Sequence, residues 1–143
     1  MTELSLTLDH LIAAPVERVY SAWLDSATLA RFMIPCEGGS VPSAVTDARV
    51  GGRFAIVMRA EGRDIPHAGT YLELTPYSRI RFTWESPHSL ADSEVTLDFA
   101  ADRAGTRITL TQVKFRDEAS RDGHTAGWRQ ILGALATAIL QEA

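Results

Sequence analysis

The residues of this chain best suited to proton transfer or metal binding are four histidines, at positions 10, 67, 88 and 124. Zinc needs convergent ligands, and two histidines one helical turn apart are a common way to supply them. No two of the four stand at such a spacing, so neither a metal site nor a metal cofactor is expected. Cys36, the one cysteine, sits between Pro35 and Glu37. It has no neighbouring base to stabilise a thiolate and no partner for an intramolecular disulfide. No nucleophile-elbow motif presents a serine. Gly38-Gly39 and Gly51-Gly52 read as turn glycines, since neither pair opens a helix on which a phosphate could sit. What remains is a short set of polar residues, Tyr71, His67, His124 and Gln112. The first three could serve as general acid or base if held within hydrogen-bond reach of a substrate. A buried imidazole or amide otherwise needs structural partners, because leaving it unpaired costs about 1–3 kcal/mol. The pattern selects no reaction, so binding is expected rather than catalysis, and no catalytic residue is assigned.

The elements that position these residues follow from hydrophobic period. Leu4, Leu6 and Leu8 alternate with Ser5, Thr7 and Asp9, which predicts a half-buried first strand. Pro15 suits the start of a helix, and Val16, Val19, Tyr20 and Trp23 follow helical spacing. Asp25 or Ser26 can cap a second short helix carrying Leu29, Phe32 and Met33. The stretch from Pro35 to Ser43 reads as a loop. From Val41 the period becomes two. Phe54, Ile56 and Met58 share a face, as do Leu72 and Leu74 against Tyr71 and Glu73, and Ile80, Phe82 and Trp84 against Arg79 and Arg81. Val95, Leu97 and Phe99 follow, then Ile108 and Leu110, with Gln112 continuing their parity toward the core. Turns are expected at Gly51-Gly52, Glu61-Gly62, Pro76-Tyr77, Pro87 and Ala104-Gly105. A final helix is predicted over about 126–141, striped by Trp128, Ile131, Leu132, Leu135 and Ile139 and slimmed by Gly127 and Gly133. The cluster Arg116-Asp117-Glu118 with Arg121-Asp122 reads as a solvated region before it. His124 stands four residues before Trp128 and shares its helical face. His10 continues the parity of Leu8, and His67 precedes the strand holding Tyr71. The order is one strand, two short helices, about six antiparallel strands and a long helix, an α+β domain.

At 143 residues the chain suits one domain, residues 1–143, large enough for a real core. Its 14 basic against 18 acidic residues give −4, without the basic excess that nucleic acid or an anionic membrane would favour. No apolar run is long enough for membrane insertion, and the acidic N-terminus lacks the basic region of a secretory signal. A cytoplasmic bacterial-type protein is the expectation.

Several blocks, in order, resemble a known family. They are Ala14-Pro15-Val16-Glu17-Arg18-Val19-Tyr20 with Trp23, and Asp47-Ala48-Arg49-Val50-Gly51-Gly52-Arg53-Phe54. Next come Gly69-Thr70-Tyr71-Leu72-Glu73-Leu74 with Arg79 to Trp84, then Ser93 to Leu97 and Gly105 to Thr111, and finally His124 with Gly127-Trp128. Together they resemble the SRPBCC superfamily (START-like, Bet v-like). Within it the chain is similar to the family of homologues of the activator of the heat-shock-protein-90 ATPase. The second helix departs from it in ending Arg31-Phe32, where many relatives carry Trp. The resemblance implies a helix-grip fold, in which a curved antiparallel sheet of six to seven strands wraps a long C-terminal helix. It also implies a cavity between them for a small hydrophobic molecule. The expected lining is Phe54, Ile56, Met58, Leu72, Phe82, Trp84, Leu97, Phe99, Leu110, Gln112, His124, Trp128 and Leu132. No cofactor is implied, and a homodimer is compatible with the pattern. Two alternatives follow from the resemblance alone: a co-chaperone-like module stimulating a chaperone ATPase, and an enzyme like a polyketide cyclase or dehydratase.

Overall fold

The computed structural model describes residues 4–87 and 89–141, so His88 lies outside the described residues. The chain runs β1 (Ser5–Ile12), α1 (Val16–Ala22), α2 (Ser26–Phe32), β2 (Ser40–Thr46), β3 (Arg53–Ala60), β4 (Arg63–Thr75), β5 (Arg79–Thr83), β6 (Glu94–Asp102), β7 (Gly105–Val113) and α3 (Glu118–Gln141). The seven strands form one antiparallel sheet in the order β1-β7-β6-β5-β4-β3-β2, curled into a half-barrel with α3 in its concavity. Every neighbour but one is adjacent in sequence. The exception is β1, which returns beside β7 and so leaves β2 as the opposite edge. This is the expected α+β helix-grip architecture. Among the described residues no helix is long and apolar enough to cross a membrane.

Local chemistry accounts for the elements. Asp25 accepts the Thr28 backbone N–H at 3.0 Å and the Thr28 hydroxyl at 2.6 Å, capping α2. These bonds also hold its carboxyl below the usual aspartate range. Phe32 at the end of α2 is fully buried and stacks edge-on against Trp23, with ring centroids 5.0 Å apart. The β3–β4 hairpin turns through Glu61 and Gly62, both at positive φ (53° and 76°), the geometry that matches strand twist in a two-residue turn. On the strands, burial alternates as the sequence indicates: Phe54, Ile56 and Met58 in, then Ile80 and Phe82, Val95, Leu97 and Phe99, and Ile108 and Leu110. The convex face carries the cross-strand pairs Arg79–Asp98 at 2.7 Å and Arg81–Glu94 at 3.0 Å.

Three expectations are corrected. In β4 it is Tyr71, at 3% exposure, that faces the core, and Leu72, at 37%, that faces out. Tyr71 pairs with Phe82 and Leu74 with Ile80, so β4 spends three residue steps where β5 spends two. The extra residue is a β-bulge, and it reverses the parity between Leu72 and Leu74. Leu72 is therefore removed from the cavity lining. Second, β2 begins at Ser40, inside the expected loop, with its own register shift between Ser40 and Ser43. Third, α3 starts at Glu118, about two turns before the expected Ala126. The Asp117 carboxylate accepts the Ser120 N–H at 2.8 Å, and the Asp117 carbonyl accepts from Arg121 N at 3.1 Å. Most of the charged cluster thus belongs to the first turns of the helix.

Candidate functional site

Trp128 is the fixed point of the concave face. It is 1% exposed, and its indole N–H donates to Gln112 Oε1 at 2.7 Å. Gln112 Nε2 donates in turn to Ser93 Oγ at 3.0 Å, and the Ser93 hydroxyl donates to the Val113 carbonyl at 2.8 Å. Gln112 has no solvent exposure. A buried chain of three hydrogen bonds therefore ties the helix to β7 through an amide that the strand parity placed inward. The Trp128 ring lies 4.9 Å from that of Trp84 and 6.4 Å from that of Trp23.

On one side of this aromatic wall the core is nearly closed. A void of about 10 Å³, room for about one water molecule, is lined by Trp23, Leu29, Met33, Phe54, Ile56, Tyr71, Phe82 and Trp84. The indole N–H groups of Trp23 and Trp84, two of the rings around it, have no acceptor among the described residues. Burial, reinforced by the Asp47 charge, pushes the Tyr71 phenol up to about 12. A phenol so placed keeps its proton across the neutral range and does not reach the larger space beyond Trp84.

That larger space is a cavity of about 560 Å³ between the β3–β4 hairpin, the segment after β5 and the first half of α3. Volumes of roughly 300–1,000 Å³ hold drug-sized ligands. Met58, Ile65 and His67 line it from the hairpin, Trp84 and Ser86 from the segment after β5, and Pro35 from the loop after α2. The helix contributes one face: Ala119 and Ser120, then Gly123 and His124, then Gly127 and Trp128, then Ile131, with Arg116 and Asp117 just ahead of it. A Cβ placed on Gly123 or Gly127 would meet no atom within 4 Å. At these two positions the helix is trimmed beside open space.

Both cavity histidines have their tautomer set by a backbone carbonyl. His124 Nδ1 lies 2.8 Å from Ser120 O, and His67 Nδ1 lies 3.0 Å from Ile65 O. A carbonyl only accepts, so in the neutral rings Nδ1 carries the proton and Nε2 the lone pair. His124 Nε2 is 3.4 Å from Ser89 Oγ, which is 2.7 Å from Ser86 Oγ. The His67 ring packs against Trp84 at 5.0 Å, and that of His124 against Phe115 at 5.2 Å. Among the described residues no group of three or more His, Cys, Asp or Glu converges.

A model of the family described as activator of Hsp90 ATPase homolog 1-like protein matches residues 13–139. The chain belongs to this family. The family is part of the SRPBCC superfamily. Protein CV1439 from Chromobacterium violaceum is 33% identical in sequence, over 93% of this chain and 94% of its own, with a TM-score of 0.84. The AHSA1-like protein from Aeromonas hydrophila is 24% identical over 97% and 94%, with a TM-score of 0.81. SA2116 from Staphylococcus aureus, a protein of unknown function, is 16% identical over 99% and 96%, with a TM-score of 0.83. The last two likenesses concern the fold alone. No curated protein matches the sequence.

In this activator-homologue chain the residues expected at the site divide into three groups. Met58, Trp84, His124 and Trp128 line the large cavity. Phe54, Ile56 and Phe82 line the small void with Trp84. Leu97, Phe99, Leu110 and Leu132 line neither; they pack into the core, Phe99 against Tyr20 at the other end. Gln112 is set behind Trp128 rather than on the cavity surface. The half-buried His10 pairs with Ile108 in β1 and is remote from the lining. Pro35, Ile65, Ser86, Arg116, Asp117, Ala119, Ser120, Gly123, Gly127 and Ile131 were missed as lining, although Ser120, Gly123/His124, Gly127 and Ile131 continue the Trp128 stripe at helical spacing. That signal was masked by the surrounding charges.

Proposed function

We propose that the protein binds a small, mainly apolar molecule in the cavity between the sheet and α3. The observation that carries this function is the cavity itself, about 560 Å³ walled by Trp84, Trp128, Met58 and Ile131 beside two helix glycines whose missing side chains leave it open. Glycine in a helix interior costs about 0.8–1.0 kcal/mol relative to alanine. No packed neighbour requires Gly123 or Gly127, so the retained space is the feature a ligand would explain. N-phenyl-1-naphthylamine, whose emission rises in apolar surroundings, is a suitable probe. Gly127→Leu should weaken its binding about tenfold or more, while Gly127→Ala raises stability by up to about 1 kcal/mol. Unchanged binding by a folded Gly127→Leu protein, or no binding by the wild type, would remove the proposal.

The family description supports a second function, a module acting on a chaperone ATPase. An unchanged ATPase rate on adding the protein to an Hsp90-type chaperone would dispose of it.

A further inference from the structure

The lining residues are ordered along the cavity. Along the chain Arg116, Asp117, Ser120 and His124 come first, with the small Ala119 among them, and the large apolar Trp128 and Ile131 come last. From Asp117, just ahead of the helix, to Ile131 this lining extends roughly 21 Å at 1.5 Å per residue, from a mainly polar end to an apolar one. Charge at the polar end is uneven in availability. The Asp117 carboxylate accepts from the Ser120 N–H at 2.8 Å, which orients it without offsetting its charge. Arg121 is paired with Asp122 at 3.1 Å. Arg116 lines the cavity, is exposed, and among the described residues forms no ion pair. Ser86 and Ser120 also line the cavity, the Ser86 hydroxyl lying 2.7 Å from that of Ser89. A guanidinium fork at the polar end of an apolar lining matches a planar anion attached to an apolar body.

We propose, resting on the binding function above, that the occupant is an elongated apolar monocarboxylate. Its body lies against Trp84, Trp128 and Ile131, and its carboxylate meets Arg116. An alcohol or ester of the same body fills the same channel and leaves the guanidinium hydrated. The acid therefore gains a charge-assisted bidentate contact that its neutral counterparts lack.

The experiment compares decanoate with decan-1-ol, and 2-naphthylacetate with its methyl ester, by tryptophan fluorescence titration of the full chain. The proteins are wild type, Arg116→Ala, Arg116→Lys and Gly127→Leu. In at least one of the two pairs the acid should bind wild type about tenfold more tightly than its neutral partner. Arg116→Ala should erase that difference without changing the neutral partner's affinity, and Arg116→Lys should restore part of it. Gly127→Leu should weaken acid and neutral compound together. Equal affinity of acid and neutral partner in both pairs, or equal loss of both on Arg116→Ala, overturns the carboxylate while leaving the cavity as a binding site. No binding of any of the four, or indifference to Gly127→Leu, overturns both.

Discussion

Single residues decide how rigid the cavity wall is. Replacing Gln112 by Leu strands the Trp128 N–H in a fully buried position and removes the donor to Ser93. A loss of about 2–3 kcal/mol in urea unfolding is expected, together with altered tryptophan emission. Tyr71 gives a pH signature. Its folded-state pKa of about 12 lies above the ordinary tyrosine value, so the stability it contributes is complete below about pH 10 and is lost as pH rises toward 12. Tyr71→Phe should move the alkaline unfolding midpoint upward without moving the acid one. Residues are also where sequence reading succeeded and failed most sharply. Gln112 was legible because strand parity reports a face. Leu97, Leu110 and Leu132 were correctly placed inside, but parity says nothing of depth, and a residue on the concave face can be core or lining. Leu72 was misplaced because one bulge residue inverts a period of two, and apolarity alone does not reveal it.

Among the elements, α3 shows how a helix end is satisfied at a distance. Arg18 of α1 donates to the Ile139 carbonyl at 2.8 Å, and Arg31 of α2 reaches the Ala138 carbonyl at 3.4 Å. Two cations thus meet the negative end of a 24-residue helix. Arg18→Ala should lower stability by about 1–2 kcal/mol, read as an earlier thermal midpoint and faster amide exchange in the last turn. Element order and type were legible throughout, because the switch from period two to period 3.6 is long and clean. The start of α3 was not. Its first turns carry Arg121, Asp122 and Gly123 in place of an apolar stripe, since they face solvent and the cavity rather than core, and only the Asp117 cap marks the boundary.

For the whole molecule, the convex surface is lined by paired charges rather than by apolar packing. Arg53 donates to Glu85 and Arg59 to Asp64, and those hydrogen bonds hold both carboxyls below their ordinary values. A depressed folded pKa contributes stability above the unfolded carboxylate range, about pH 4, which is lost as pH falls through the folded values. Acid titration should therefore show stability declining below about pH 4, with the decline reduced in Arg53→Met and Arg59→Met proteins. Added salt should have little effect at neutral pH, since solvent already screens exposed pairs of this kind.

The buried residues of α3 run from Trp128 to Ile139, and its first ten residues contain none. The arginine contacts hold the far end, and Gln112 holds Trp128. The helix is in effect a beam clamped over its second half, with the first half cantilevered above the cavity. A cantilever has one soft coordinate, the tilt of its lightly held end about the root, here steadied by His124 against Phe115 and Ser89. Under the proposed binding function, occupants of different girth would be accommodated by a slight bend of the helix ahead of Trp128, with the packed second half undisturbed. Cavity volume would then follow an angle rather than a rearrangement of side chains.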